Sequence, residues 1–145
     1  MDAMQQERVA AATTAGGRRV RRLVAAGSAV VAAVVAWALI DPIGGVDLRA
    51  PAQGSSEGFD IGLLAVTLTS AAASLAAWGS LAATERWTRH PKGIWTGVAL
   101  AAFLLSLSGP ALGTGITPGS RWLLALLHLV VAITLIPQLR GTVRR

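Results

Sequence analysis

The chain has 145 residues, 53% of them hydrophobic and only 14% charged, with a mean hydropathy of +0.58. Soluble domains carry about a quarter charged residues, so the composition argues against a water-soluble class. The absence of cysteine removes disulfide and thiol chemistry, and the net charge of +6 lies beside apolar runs rather than on a separate polar domain, which argues against nucleic acid as a partner.

Residues 1–22 are polar and end in Arg18-Arg19-Val20-Arg21-Arg22, and they are read as a disordered, basic cytoplasmic tail. The first apolar run, Leu23 to Ile40, follows directly. A positive segment before an apolar one resembles a secretory signal, but this run exceeds the usual length of such a signal and three more apolar runs follow. It is therefore expected to stay as a membrane helix, stopped by Asp41-Pro42.

Residues 41–60 form the one substantial loop, rich in Gly and Pro, with Asp41, Asp47, Glu57 and Asp60 against Arg49. These acids lack the dense spacing of a calcium loop. Asp60 stands where an N-cap belongs, and the second run, Ile61 to Ala83, places Ser70, Ala73, Ser74, Ala77 and Ser80 at spacings of three and four. Small residues in that pattern let helix backbones approach in lipid. A basic connection, Thr84 to Lys92, leads to a third run from Gly93 to Leu112, which opens on Gly93-x-x-x-Gly97 with Ala101 beyond. Ser106, Ser108, Gly109 and Pro110 loosen its end. After an uncharged turn, Thr117 or Ser120 caps the last run, which reaches Leu139.

Eleven of the thirteen basic residues fall in the N-terminal segment, the 84–92 connection and the segment after Pro137, leaving Arg49 and Arg121 on the other side. The positive-inside rule makes the first side cytoplasmic. The five tryptophans all fall near span ends, as an aromatic belt requires. The expected fold class is thus all-α, a membrane four-helix up-down bundle with both termini cytoplasmic. Its spans lie near 23–40, 61–83, 93–112 and 120–139 of a 23–140 transmembrane domain, followed by a basic tail at 141–145. Twelve arginines accompany one lysine, and Asn and Tyr are absent, as in a protein from a GC-rich bacterial genome. The expected location is therefore the bacterial inner membrane.

His128 is the only ionisable side chain well inside an apolar run, about 12 Å along its helix from Ser120. An ionisable group at such depth is a candidate for a proton relay or ligand site, or a buried hydrogen-bonding group. Arg121 lies seven residues earlier on the same helical face. Ser70 and Ser106 reach a similar depth on the second and third helices, so His128, Arg121, Ser70 and Ser106 form the candidate intramembrane polar site. His128 is expected to bond a hydroxyl of Thr67, Ser70 or Ser106, or a carbonyl near Pro110.

Gly45-Val46-Asp47-Leu48-Arg49-Ala50-Pro51, Ile94-Trp95, Leu105-Ser106-Leu107-Ser108-Gly109-Pro110, His128-Leu129 and Ile136-Pro137 together resemble a family of small actinobacterial four-span membrane proteins with no assigned function. The resemblance implies a four-helix integral membrane protein and brings no substrate or catalytic residue. Small multidrug exporters are similar in size but depend on a glutamate inside the first helix, which this chain lacks.

There is no nucleophile paired with a base, no pair of carboxylates, no metal-ligand cluster and no phosphate loop in the sequence. The expected function is a non-enzymatic accessory or scaffold subunit without cofactor, whose partners are the lipid bilayer and either itself or another membrane protein. A small oligomeric transporter or channel using His128 is the alternative.

Overall fold

The computed structural model describes residues 3–41, 43–45, 48–50, 59–114 and 116–143. Helix α1 spans Ala3–Ile40, α2 Leu63–Trp87, α3 Pro91–Ser106, α4 Ser108–Leu112 and α5 Pro118–Arg140. Two-residue strands, β1 (Arg49–Ala50) and β2 (Phe59–Asp60), pair antiparallel between α1 and α2. Four stretches, Ala15–Ile40, Leu63–Trp87, Pro91–Leu112 and Pro118–Arg140, are long and apolar enough to cross a membrane. The all-α four-span architecture is thus as the sequence implied. The segment read as a disordered tail is continuous with the first helix, since α1 begins at Ala3.

The helices form an up-down bundle in which α1 and α3 take opposite corners and each packs against both α2 and α5. In lipid, burial of apolar surface gives no drive for helix association, so close backbone approach has to supply it. On α1 the approach is made by Ala25, Ala29 and Ala33, which are 0–2% exposed. Ala25 and Ala29 share a cluster with Leu81 and Ala77 of α2, completed by Trp95, Leu135 and Leu139. Ser70 and Ser74 are buried on the same α2 face as Leu81, whereas Ala73 points outward. The anticipated stripe of small residues is therefore used in part. Gly93, Gly97 and Ala101 are exposed, so the G-x-x-x-G face lies outside the bundle. Leu64, Leu68, Leu75, Leu104 and Leu105 also point outward, as lipid-facing side chains do.

Trp95 departs from the belt expected of the tryptophans. It is 0% exposed and turns inward, and its indole Nε1 donates to Ala77 O and Ser80 Oγ, both at 3.2 Å. A buried tryptophan needs such a partner for its N–H. Trp87 and Trp122 do stand exposed near helix ends.

The 41–60 loop is tied to the bundle at its described residues. Asp41 Oδ2 accepts from Leu48 N at 2.9 Å, Ile61 N donates to Leu48 O at 2.9 Å, and Trp37 Nε1 donates to Ile61 O at 2.8 Å. The turn after α1 requires glycine twice. A Cβ on Gly44 would lie 2.5 Å from Ile40 O, and Gly45 has φ +68°. The turn delivers Leu48, 1% exposed, against Leu124 and Leu127 of α5, with Trp37, Ile61 and Ile116 around them. Asp60 is not the N-cap of α2. It pairs with Arg49 in the strand ladder, its Oδ1 3.3 Å from Arg49 Nε, and Gly62 takes the cap position without a side-chain bond. Asp47 and Glu57 lie outside the described residues.

Leu48 is the anchor of this loop, so Leu48→Ala is expected to lower stability by about 2–3 kcal/mol through the cavity it leaves. Leu105→Ala, on the lipid-facing side, should be nearly silent. Unfolding followed by SDS titration in mixed micelles measures both, and equal losses would contradict the anchoring role.

Candidate functional site

No hydrogen bond joins the four residues expected to form one intramembrane polar site. His128 is half-buried, and its Nδ1 lies 2.7 Å from Leu124 O, one turn back on its own helix. A carbonyl only accepts, so Nδ1 is the donor in this bond. The expected bond to a hydroxyl of Thr67, Ser70 or Ser106 is replaced by this local one. Those hydroxyls are satisfied within their own helices: Thr67 donates to Leu63 O at 2.8 Å, Ser70 to Val66 O at 2.6 Å and Ser106 to Phe103 O at 2.7 Å. The physical reason is competition. In a helix the carbonyl one turn back is always within reach of a short polar side chain, whereas a partner on another helix demands a matched register.

Arg121 bonds the backbone of the preceding segment. Its Nη1 donates to Ala111 O at 2.8 Å and its Nη2 to Gly113 O at 3.2 Å, which satisfies carbonyls at the C-terminal end of α4. The helix that Pro110 and its neighbours interrupt, with a turn at Leu107, is in this way tied to the start of α5. Thr117 caps α5, its Oγ1 accepting from Ser120 N at 3.2 Å.

The polar constellation that does bring separate helices together lies at the opposite end of the bundle. Arg22 Nη2 donates to Glu85 Oε1 at 2.7 Å and to Thr142 O at 3.3 Å, and its Nε donates to Thr142 Oγ1 at 3.0 Å. Thr142 Oγ1 in turn donates to Leu139 O at 2.8 Å. The side chains of Arg22 and Glu85 are only 9% and 8% exposed. One guanidinium therefore joins α1, α2 and the turn after α5. A second tie runs nearby, where Ser28 Oγ and Gln138 link α1 to α5 at 2.9–3.2 Å.

From the sequence, Arg22 closes a basic cytoplasmic tail and Glu85 falls in the basic connection from Thr84 to Lys92. The signal that identifies them is the continuation of each helix's buried stripe. Arg22 precedes Ala25, Ala29 and Ala33 at spacings of three and four, and Glu85 follows Leu81 by four. Because α2 runs on to Trp87, Glu85 stays in that helical register instead of entering a loop.

Breaking a buried ion pair leaves one charge uncompensated and is costly, about 3 kcal/mol or more. Glu85→Gln and Arg22→Met are each expected to destabilise the bundle by roughly that amount. Arg22→Met with Glu85→Gln together should lose much less than the sum of the two. Arg21→Gln, an exposed neighbour, should stay within about 0.5 kcal/mol. A double-mutant cycle in micelles checks this, and additive losses would deny the coupling.

No curated protein and no solved structure matches the chain. A family model described as "Family of unknown function (DUF6069)" matches residues 13–145, which takes in all four spans and the Arg22, Glu85 and Thr142 tie. The chain belongs to this family of unknown function, DUF6069.

Proposed function

We propose that the protein is a non-enzymatic accessory or scaffold subunit of the bacterial inner membrane, with both termini in the cytoplasm. The observation that supports this reading most is where the polar groups inside the spans spend their hydrogen bonds. His128, Ser70, Thr67 and Ser106 each bond a carbonyl of their own helix, and no hydrogen bond joins them to one another. Groups that do bond between separate segments, among them Arg22, Glu85, Thr142, Trp95, Ser28 and Gln138, hold the bundle together. Among the described residues no group of three or more His, Asp or Glu side chains could hold a metal ion.

The orientation rests on charge. The end that carries Arg18, Arg19, Arg21, Arg86, Arg89, Lys92 and Arg140 is the cytoplasmic one by the positive-inside rule. The apolar outer surfaces of α2 and α3 then meet lipid, another copy of the chain or a different membrane protein.

A small oligomeric transporter is the second reading, favoured by one observation. His128 is half-buried and its Nε2 has no hydrogen-bond partner among the described residues, so it is open to a neighbour from outside the bundle.

Reporter fusions at residue 88 and at the C-terminus are expected to read cytoplasmic, and one near residue 54 to read external. The reverse pattern would overturn the orientation. His128→Gln and His128→Leu should each shift stability by only about 0.6 kcal/mol, the average for a hydrogen bond in a membrane bundle. Both variants should also copurify with the same membrane partners as the native chain after mild detergent extraction. If purified protein in vesicles instead carries a pH-dependent flux that both substitutions abolish without unfolding it, the transporter reading replaces the scaffold.

A further inference from the structure

We propose that the basic end of the bundle holds the phosphate of an anionic phospholipid in a cleft between α3 and α5. The cleft has a volume of about 490 Å³ and is lined by Lys92, near the start of α3, and by Ile136, Pro137, Arg140 and Gly141, at the end of α5.

Three observations select an anionic occupant. Lys92 and Arg140 are both exposed and line one cleft, and among the described residues neither has an ion-pair partner. Glu85 is the only acid that the sequence places between Asp60 and the C-terminus, and it is engaged by Arg22. Among the described residues no carboxylate pairs with Lys92 or Arg140, and two like charges beside one hollow favour an external anion. The N-terminal end of α3 adds to the same field. Its first turn has Pro91 at the start and receives no side-chain cap, so the positive end of the helix dipole is left uncompensated beside Lys92.

Two further observations make that anion a lipid rather than a free phosphate. The cleft sits at the end of two membrane-spanning helices, at the depth of a headgroup. Its remaining wall is apolar, formed by Ile136 and Pro137, and the α5 surface continues toward the middle of the span through Ile133 and Leu129, both exposed. A phosphate between Lys92 and Arg140 would thus have its acyl chains along Ile136, Ile133 and Leu129. Basic pockets between helices at a cytoplasmic membrane face are suited to such headgroups.

The test is a lipid titration of the intact, detergent-solubilised protein, with bound lipid counted by native mass spectrometry. Phosphatidylglycerol and phosphatidylcholine with identical acyl chains are compared, with glycerol 3-phosphate as the chainless anion. Phosphatidylglycerol is expected to bind in clear preference to both. Lys92→Gln and Arg140→Gln should each weaken it about fivefold, and the pair about 25-fold, following the usual contribution of one basic residue at a membrane surface. The charge-keeping variant Lys92→Arg with Arg140→Lys should retain it, as should Arg19→Gln with Arg86→Gln, which removes two exposed charges outside the cleft. If the Lys92 and Arg140 double variant does not fold, the two single variants decide. Equal binding of phosphatidylcholine, equal binding of glycerol 3-phosphate, or an equal loss in the Arg19 and Arg86 variant would each overturn the proposal.

Discussion

A guanidinium withdrawn from water at the end of a lipid-embedded bundle must be met by a carboxylate and by further acceptors, or it does not stay there. Arg22 meets Glu85 and both oxygens of Thr142, and these contacts fix three elements at one level. Apolar packing alone is permissive about sliding, because an alanine face fits another small face in several registers. A buried charge fits in one. The tie at the basic end thereby sets the axial position of α1 against α2 and α5, and the rest of the packing follows from it. Ala25, Ala29 and Ala33 then bring α1 close to its neighbours, and Trp95 closes the core from the α3 side.

The opposite end is organised differently. There the loop after α1 inserts Leu48 between α1 and α5, held by Asp41, while Arg121 ties the broken end of α4 to α5. Asp41, accepting from Leu48 N, and Arg121, donating to Ala111 O and Gly113 O, serve backbone groups that irregular segments leave exposed, a task that water performs in soluble proteins.

Much of this was legible in the sequence. Run length, charge distribution and the Asp41-Pro42 and Gly113–Gly119 breaks indicate four helices in their correct places, because span length and polarity are set by the bilayer and not by details of packing. The cap of α5 at Thr117 was legible for a similar reason, being a local interaction. What escaped were the contacts between segments far apart in the chain. His128 was expected to seek a hydroxyl on another helix, but Leu124 O lies within 2.7 Å with no register to satisfy. Asp60 matched a cap position but was drawn into the ladder with Arg49. Trp95 sits at a span end, as a belt residue would, and only its rotation about the helix axis turns it inward. Arg22 and Glu85 were masked by their neighbours. Three arginines beside Arg22 (Arg18, Arg19 and Arg21) suggest a solvated cluster, and the buried stripe that includes it is visible only once the alanines are known to face the core.

The separation of Arg22 from its partners along the chain bears on how the protein is made. Glu85 follows it by 63 residues and Thr142 by 120. During synthesis the first helix reaches the membrane long before either acceptor exists. Through that interval the guanidinium has to remain at the headgroup level, solvated by water and phosphate, in the manner of any arginine near a span end. Its withdrawal into the protein is then a late event, completed when α5 has inserted and the turn around Thr142 has formed. A nascent chain stopped before that turn would hold four hydrophobic spans but lack part of the latch that aligns them, and membrane quality control could distinguish the two states by the exposure of a single arginine.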